Sequence, residues 1–342
     1  MPAGGQSSSG YPPEILVERC VHARATVVSC RRCLEVCPRE AVVVDGCPDI
    51  EPESCDGCGL CVAACTEGAL LGEAPALAAG GHDAASVFLA CERAGTDRVG
   101  GPPCVHAVSL AELLGLHSRG MRRLEVCTGR CDDCPRDRGE RLGERVARLN
   151  RVLVARGALP IAVFPLGPAR WNRRAAAARP ARSEPGMSRR GFWRRVVVAA
   201  VDRAPPDVAS TPWRPPGQSL APAAGAVPRL HAPSIDPNRC SGCDACARIC
   251  PHAAIVGGPD ADDYQIEPDA CTGCGLCVDL CAERAVEVRS DTVAAPHRIA
   301  LVRRVCSVCG TAFHRPPSAL PGEARCGVCA QAGTRPRLRL VL

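Results

Sequence analysis

The sequence predicts an α+β multidomain protein. Two small cysteine-bound modules flank an α/β segment, and a short cysteine-paired domain closes the chain. Three observations carry this. Four cysteine runs of similar spacing occur as two pairs, at residues 14–75 and 231–292, an internal duplication. Between them, apolar stretches alternate in the order β-α-β-α-β, the pattern of a small parallel sheet. Near the end, two Cys-x2-Cys knuckles stand sixteen residues apart.

Composition sets the limits. The chain has 342 residues, enough for two to four small domains, and 26 of them are Cys. Repeated Cys-x2-Cys gathers thiolates around a compact inorganic centre, whereas disulfide frameworks spread their cysteines over longer loops. A metalloprotein is therefore expected. Aromatic residues make up only 3%, so small domains bury little apolar area. Metal–thiolate bonds then replace the missing core, and folding couples to metal binding. The formal charge is +6 and every basic residue is Arg. Genomic base composition accounts for the absence of Lys, so nucleic-acid binding is not expected from it. No basic region followed by an apolar stretch opens the chain, and no run approaches about 18 apolar residues. Neither a signal peptide nor membrane insertion is expected, and the cytoplasm is the expected compartment.

Taken in order, residues 1–13 read as a flexible tail. Residues 14–75 form the first module, with Cys30-x2-Cys33-x3-Cys37-Pro38 and then Cys55-x2-Cys58-x2-Cys61-x3-Cys65. Residues 84–166 form the α/β domain. Ala85-Ser-Val-Phe-Leu-Ala90, Arg123–Val126 and Ile161–Pro165 read as strands. A helix is expected from Ser109 to Leu116, with Ser109 as N-cap and Glu112 in the capping-box position. A second spans Asp137–Arg156, with Leu142, Val146, Leu149, Leu153 and Val154 as its apolar stripe. Residues 167–230, rich in Pro, Ala and Arg, read as an exposed linker. Residues 231–292 carry Cys240-x2-Cys243-x2-Cys246-x3-Cys250-Pro251 and Cys271-x2-Cys274-x2-Cys277-x3-Cys281, and residues 298–342 form the tail domain.

These runs demand a backbone that curls tightly around sulfur, and Gly57, Gly242 and Gly273 stand where glycine relieves a positive φ. Residues 231–292 resemble the bacterial two-cluster [4Fe–4S] ferredoxins, with all eight ligand positions filled. The resemblance implies a pseudo-two-fold, ferredoxin-like dicluster module. It implies one cluster on Cys240, Cys243, Cys246 and Cys281, and another on Cys271, Cys274, Cys277 and Cys250. Ala282 stands where the family usually has proline. The first module resembles the same family, which implies a cluster on Cys55, Cys58, Cys61 and Cys37. For its other cluster Cys30, Cys33 and Cys65 are present, but Val27 occupies the expected first position. Cys20 could reach in through a longer loop, Cys47 is the rival, and a three-cysteine site with an open iron is the third alternative.

The middle segment carries Cys91, Cys104, Cys127, Cys131 and Cys134. Cys91 and Cys127 fall at the C-terminal ends of strands, where ligand sites of parallel sheets gather. These cysteines are either scattered structural thiols or a fifth metal site, of iron–sulfur or zinc type. They resemble the small delta-type iron–sulfur subunit that links hydrogenases to electron-bifurcating complexes. His106 and His117 are candidate ligands, with surface histidines the simpler reading. In the tail, Cys306, Cys309, Cys326 and Cys329 resemble a zinc ribbon; rubredoxin holds iron on similar knuckles, but its dense aromatic shell is missing here. Ser188-Arg-Arg-Gly-Phe-Trp193 looks like a twin-arginine export motif. It lies too far along the chain to act as one, and a partner-docking stretch is the alternative.

The expected function is electron transfer through four [4Fe–4S] clusters, with a possible fifth metal site and a zinc ion. Loaded, such a chain would be mildly acidic, since each four-thiolate centre carries about −2. The expected partners are redox proteins, an oxidoreductase complex above all. The rival is an iron–sulfur subunit with its own thiol or sulfur chemistry at an open-iron or middle-domain cluster. A nucleic-acid-binding regulator is the third class.

Overall fold

The computed structural model describes residues 12–72, 78–79, 85–97, 103–178, 213–319 and 325–332. The first eleven residues and the Ser188–Trp193 stretch lie outside them.

The first module holds β1 (Glu14–Ile15), α1 (Arg32–Glu35), β2 (Val42–Asp45), β3 (Cys47–Ile50), α2 (Leu60–Ala64) and β4 (Leu70–Leu71). β1 pairs antiparallel with β4, and β2 with β3. Both helices last about one turn, because each is entered from a cysteine loop and left at the next ligand position. Ala41, Val42, Ile50 and Leu70 form its small core together with Cys37 and Cys61.

The middle segment adds β5 (Ala78–Ala79), β6 (Ser86–Ala90), α3 (Leu110–Ser118), β7 (Arg123–Cys127), α4 (Leu142–Val154), β8 (Ala162–Pro165) and α5 (Pro168–Ala178). The sheet order is β5-β6-β7-β8, with β6, β7 and β8 parallel and β5 antiparallel at one edge. α3 starts on a capping box: the Glu112 N–H donates to Ser109 Oγ, and the Ser109 N–H to the Glu112 carboxylate. α4 begins five residues later than the sequence suggests, because Asp137 pairs with Arg141 in the approach to the helix. Its buried stripe is Leu142, Val146, Leu149, Val152 and Leu153, while Val154, expected inside, is 57% exposed.

The linker reading needs correction at both ends. α5 lies in residues read as linker, yet Trp171 and Ala175, one turn apart, are buried in the α/β core. The Trp171 ring meets Phe88 edge-on, its N–H donates to the Glu125 carbonyl, and Arg174 pairs with the buried Glu125 carboxylate. Two small-spaced apolar positions among Arg and Ala leave little trace in composition. At the other end Trp213 packs on Gly68 and on the His252 ring.

The second module comprises β9 (Val227–Ile235), α6 (Ala245–Ile249), β10 (Ile255–Val256), β11 (Asp263–Ile266), α7 (Leu276–Asp279) and β12 (Val286–Ala294). β9 pairs antiparallel with β12 from Val227↔Ala294 to Ile235↔Val286, and β10 with β11. The pairing repeats that of the first module with a much longer outer ladder. β13 (His297–Ala300) adds to β11, so residues 298–300 complete this sheet rather than open the tail domain. The tail is a hairpin of β14 (Val302–Val305) and β15 (Ala312–Arg315), followed by α8 (Gly327–Ala332). A buried ion triad ties the second module to the α/β segment: Asp269 accepts from Arg156, just past α4, and from Arg229 on β9. Among the described residues, no helix is long and apolar enough to cross a membrane.

Candidate metal centres

All 26 cysteines lie among the described residues and none forms a disulfide. The three complete Cys-x2-Cys-x2-Cys loops share one backbone rhythm. Residues two and four after the first cysteine have positive φ: Gly57 and Gly59, Gly242 and Asp244, Gly273 and Gly275. Alternating handedness turns successive N–H groups inward, which makes a nest for anionic sulfur. The Gly57 N–H already donates to Cys55 Sγ at 3.4 Å. Two of these glycines are also demanded by their neighbours. A Cβ on Gly242 would fall 1.9 Å from the His314 carbonyl oxygen, and one on Gly273 would fall 2.5 Å from the His231 ring. Asp244 adopts φ +61 as a non-glycine; Tyr264 O–H and His314 Nε2 both contact its Oδ1, at 2.7 and 2.8 Å.

A second turn occurs four times and was not read from the sequence. After each of Cys37, Cys65, Cys250 and Cys281, the third residue on has positive φ: Glu40, Gly68, Ala253 and Arg284, at 53°, 59°, 55° and 50°. The fourth is always a buried alanine: Ala41, Ala69, Ala254 and Ala285. Its N–H donates to the Sγ of the preceding cysteine at 3.2–3.3 Å. The signal is visible in the chain as Cys-x3-Ala repeated at the last cysteine of each run. Three of the four left-handed positions carry a side chain, at about 1 kcal/mol of backbone strain each. Arg284→Gly is therefore expected to raise stability by about 0.5–1 kcal/mol in chemical denaturation of the loaded protein.

The structure brings the cysteines together in sets. Cys240, Cys243, Cys246 and Cys281 line one cavity, and Cys250, Cys271, Cys274 and Cys277 line another. In the first module Cys37 crosses over to pack with Cys61 and Cys55, and Cys58 follows on the face turned toward the middle segment. Cys20, Cys30, Cys33 and Cys65 line a third cavity. Cys20 reaches it through two 3-10 turns, Val17–Arg19 and Val21–Ala23, with no left-handed residue between 20 and 39. Cys47, on β3, is not part of that wall, although its neighbour Pro48 is and its thiol lies near enough to Cys20 for the two to repel.

Burial pushes the Cys61 and Cys271 thiols up to about 12, and neighbouring cysteines add to the rise. Thiols crowded in a dry pocket stay protonated until cations arrive to compensate the thiolates. The tail differs. N–H groups of Cys326 and Cys309 aimed at Cys306 hold its thiol down at about 6. Its four sulfurs all lie within 4.8 Å of one another, the only group of metal-ligating side chains so close among the described residues. Cys309 and Cys326 Sγ are 3.8 Å apart. A tetrahedral ion with bonds of about 2.3 Å requires sulfurs about 3.8 Å apart, so the tail fits a single ion. Among the described residues, no other set of three or more His, Cys, Asp or Glu side chains comes together that closely.

In the middle segment four of the five cysteines, Cys91, Cys104, Cys131 and Cys134, line one cavity with His106. Cys127 is buried in the sheet core, its Sγ directed at the Ala94 carbonyl. The Leu142 N–H donates to His106 Nδ1 at 3.1 Å, which leaves the ring proton on Nε2, 3.6 Å from Cys131 Sγ. His106 is thus oriented as a donor to sulfur, and burial lowers its pKa. His117 lies apart, with Nε2 2.8 Å from the Leu159 carbonyl oxygen.

Two stretches of the chain match known domain families. Residues 239–285 match the 4Fe-4S dicluster domain, and residues 48–71 match the 4Fe-4S binding domain. No curated protein matches the chain. The second match covers Cys55, Cys58, Cys61 and Cys65 and leaves out the run from Cys20 to Cys37, where the spacing departs from the ferredoxin pattern and the nest is missing. The chain carries two 4Fe–4S ferredoxin-type domains.

Proposed function

We propose that this protein is an electron-transfer subunit holding four [4Fe–4S] clusters, two in each module, and one zinc ion in the tail. The observation that carries the reading is the crossover. In three of the four sets the last cysteine of one run lines a cavity with three cysteines of its partner run, and in the fourth Cys37 packs with Cys55 and Cys61. The ligand sets are Cys240, Cys243, Cys246 and Cys281; Cys271, Cys274, Cys277 and Cys250; Cys55, Cys58, Cys61 and Cys37; and Cys20, Cys30, Cys33 and Cys65. Cys306, Cys309, Cys326 and Cys329 take the zinc. Such clusters accept and release one electron at a time, and N–H···S bonds with low exposure set their potentials. The partner is an oxidoreductase in the cytoplasm.

A second reading is favoured by the Cys91, Cys104, Cys131 and Cys134 cavity, which offers a fifth centre and a place for thiol or sulfur chemistry. Metal analysis of anaerobically purified protein separates the two. About 16 iron and one zinc per chain fit four cubanes and a ribbon; about 18–20 iron assigns a further cluster to the middle segment. Cys20→Ala is expected to lower the iron count by about one to four and to yield a three-iron EPR signal, while Cys47→Ala leaves both unchanged. The reverse outcome moves the ligand to Cys47.

A further inference from the structure

We infer that the cysteine sites stand in single file, and that the loops of Cys65 and Cys274 form the crossing between modules, held in register by Arg32. The order is middle segment, Cys37/Cys55/Cys58/Cys61, Cys20/Cys30/Cys33/Cys65, Cys250/Cys271/Cys274/Cys277, Cys240/Cys243/Cys246/Cys281. This rests on reading the sites as electron-carrying clusters.

Each step in the file has its own contact. Cys104 of the middle segment packs with Cys58 and Leu60 in one buried group. Arg136 fastens that face by pairing with Asp56 at 2.9 Å and Glu92 at 2.8 Å. Inside the first module, Cys61 and Cys37 share a buried group with Cys33 and Cys65. Inside the second, Cys277 shares one with Cys240 and Cys246. At the far end Phe313, Gly327 and Val328 of the tail domain close the wall around Cys240, Cys243, Cys246 and Cys281.

The crossing carries the most fastenings. Cys274, from the second module, is part of the wall around Cys20, Cys30, Cys33 and Cys65. The Arg32 guanidinium donates to Thr66 Oγ1 and to the Gly273 carbonyl, each at 2.5 Å. It thus bridges the residue after Cys65 to the residue before Cys274. Ser29 donates from both N–H and O–H to the Asp279 carboxylate at 2.9 and 2.8 Å. His252 Nε2 meets Glu67 Oε2 at 2.8 Å. Every one of these residues lies within two positions of a ligand cysteine. Fastenings so placed fix the separation of the two ligand sets themselves. Tunnelling falls exponentially with that separation, so the register of these loops decides whether an electron can cross. A low-potential one-electron donor at one end loses one electron and an acceptor at the other gains it; no proton or group moves with it.

Magnetic coupling tests the order without any partner. Paired substitutions, Cys55→Ala with Cys58→Ala and Cys243→Ala with Cys246→Ala, take two ligands from each outer site, empty both and leave the two at the crossing. EPR of the reduced full-length variant should show split, broadened lines from two interacting spins; two simple, independent spectra overturn the single file. Should that variant fail to assemble, Arg32→Ala with Asp279→Ala keeps every cysteine. Its reduced spectrum should lose part of the wild-type broadening and its inter-module electron exchange should slow at least 10-fold in freeze-quench experiments. An unchanged spectrum and rate overturn the crossing. A wild-type chain without iron and sulfide sinks the electron-carrying reading itself, whereas a full complement with uncoupled crossing sites sinks only the inferred order.

Discussion

Stripping the iron from the intact chain is expected to unfold both cysteine modules while the α/β segment keeps its sheet. The cores differ in kind. The α/β segment buries a continuous group from Val87 to Ala175 in which Leu89, Leu113, Leu124, Leu149 and Leu153 are almost wholly enclosed. At about 1.5–3 kcal/mol per enclosed aliphatic side chain, that group can order its own backbone. The first module encloses a handful of mostly small side chains beside its cysteines, Val21, Ala41, Val42, Ile50, Leu60, Ala69 and Leu70, and the second packs Ile255, Tyr264 and Ile266 directly around Cys240, Cys246 and Cys277. When the metal leaves, those thiols lose the bonds that hold Glu40, Asp244, Ala253 and Arg284 in unfavourable left-handed turns, and binding free energy is folding free energy here. Hydrogen exchange reads the outcome segment by segment. Amides of β2, β3, β10 and β11 should lose protection on iron removal, and those of β6, β7 and α4 should keep most of theirs. Retained protection in β10 and β11 would mean that the apolar residues of the module suffice alone.

How much of this was legible depended on the length scale of the signal. The cysteine runs, the three parallel strands and the Ser109 cap are local patterns, and the structure has them within a residue or two. α5 was missed because Trp171 and Ala175 are only two apolar positions in an Arg/Ala stretch, and their burial depends on Phe88 and Glu125 some fifty to eighty residues earlier. The start of α4 was misplaced because Asp137 is drawn into an ion pair rather than a helix. The fourfold Cys-x3-Ala turn was present in the sequence throughout. It escaped because the residue before the alanine is Glu, Gly, Ala or Arg, and only the backbone shows that all four share one left-handed conformation. The contact between Cys274 and the Cys20 cavity could not be read at all, since it joins residues some two hundred positions apart.

The second large effect is expected from Asp269→Ala, which should cost about 3–5 kcal/mol although the residue binds no metal. Asp269 stands between Arg156 and Arg229, whose side chains are 2% and 0% exposed. Arg156 also donates to the Ala221 carbonyl, and Arg229 to the carbonyls of Ala294, Ala223 and Gly225. Carbonyl oxygens take part of their N–H groups, with Arg156 Nε left without a partner, and cannot neutralise two enclosed positive charges. Removing the carboxylate therefore strands both arginines, and the second module loses its hold on the end of α4. An exposed pair gives the contrast. Glu287 and Arg289 are 57% and 66% exposed, water already solvates both, and Glu287→Ala should leave stability unchanged. Urea denaturation of the loaded protein should give Asp269→Ala a much lower midpoint than Glu287→Ala. Asp269→Leu with Arg156→Met and Arg229→Met removes the charges together and should recover most of the loss. If Asp269→Ala unfolds at the parent midpoint, the triad does not fasten the module and its docking depends on the cysteine crossing and the Arg151–Asp291 pair. If the triple variant stays as weak as the single one, the lost stability came from packing around Asp269 rather than from stranded charge.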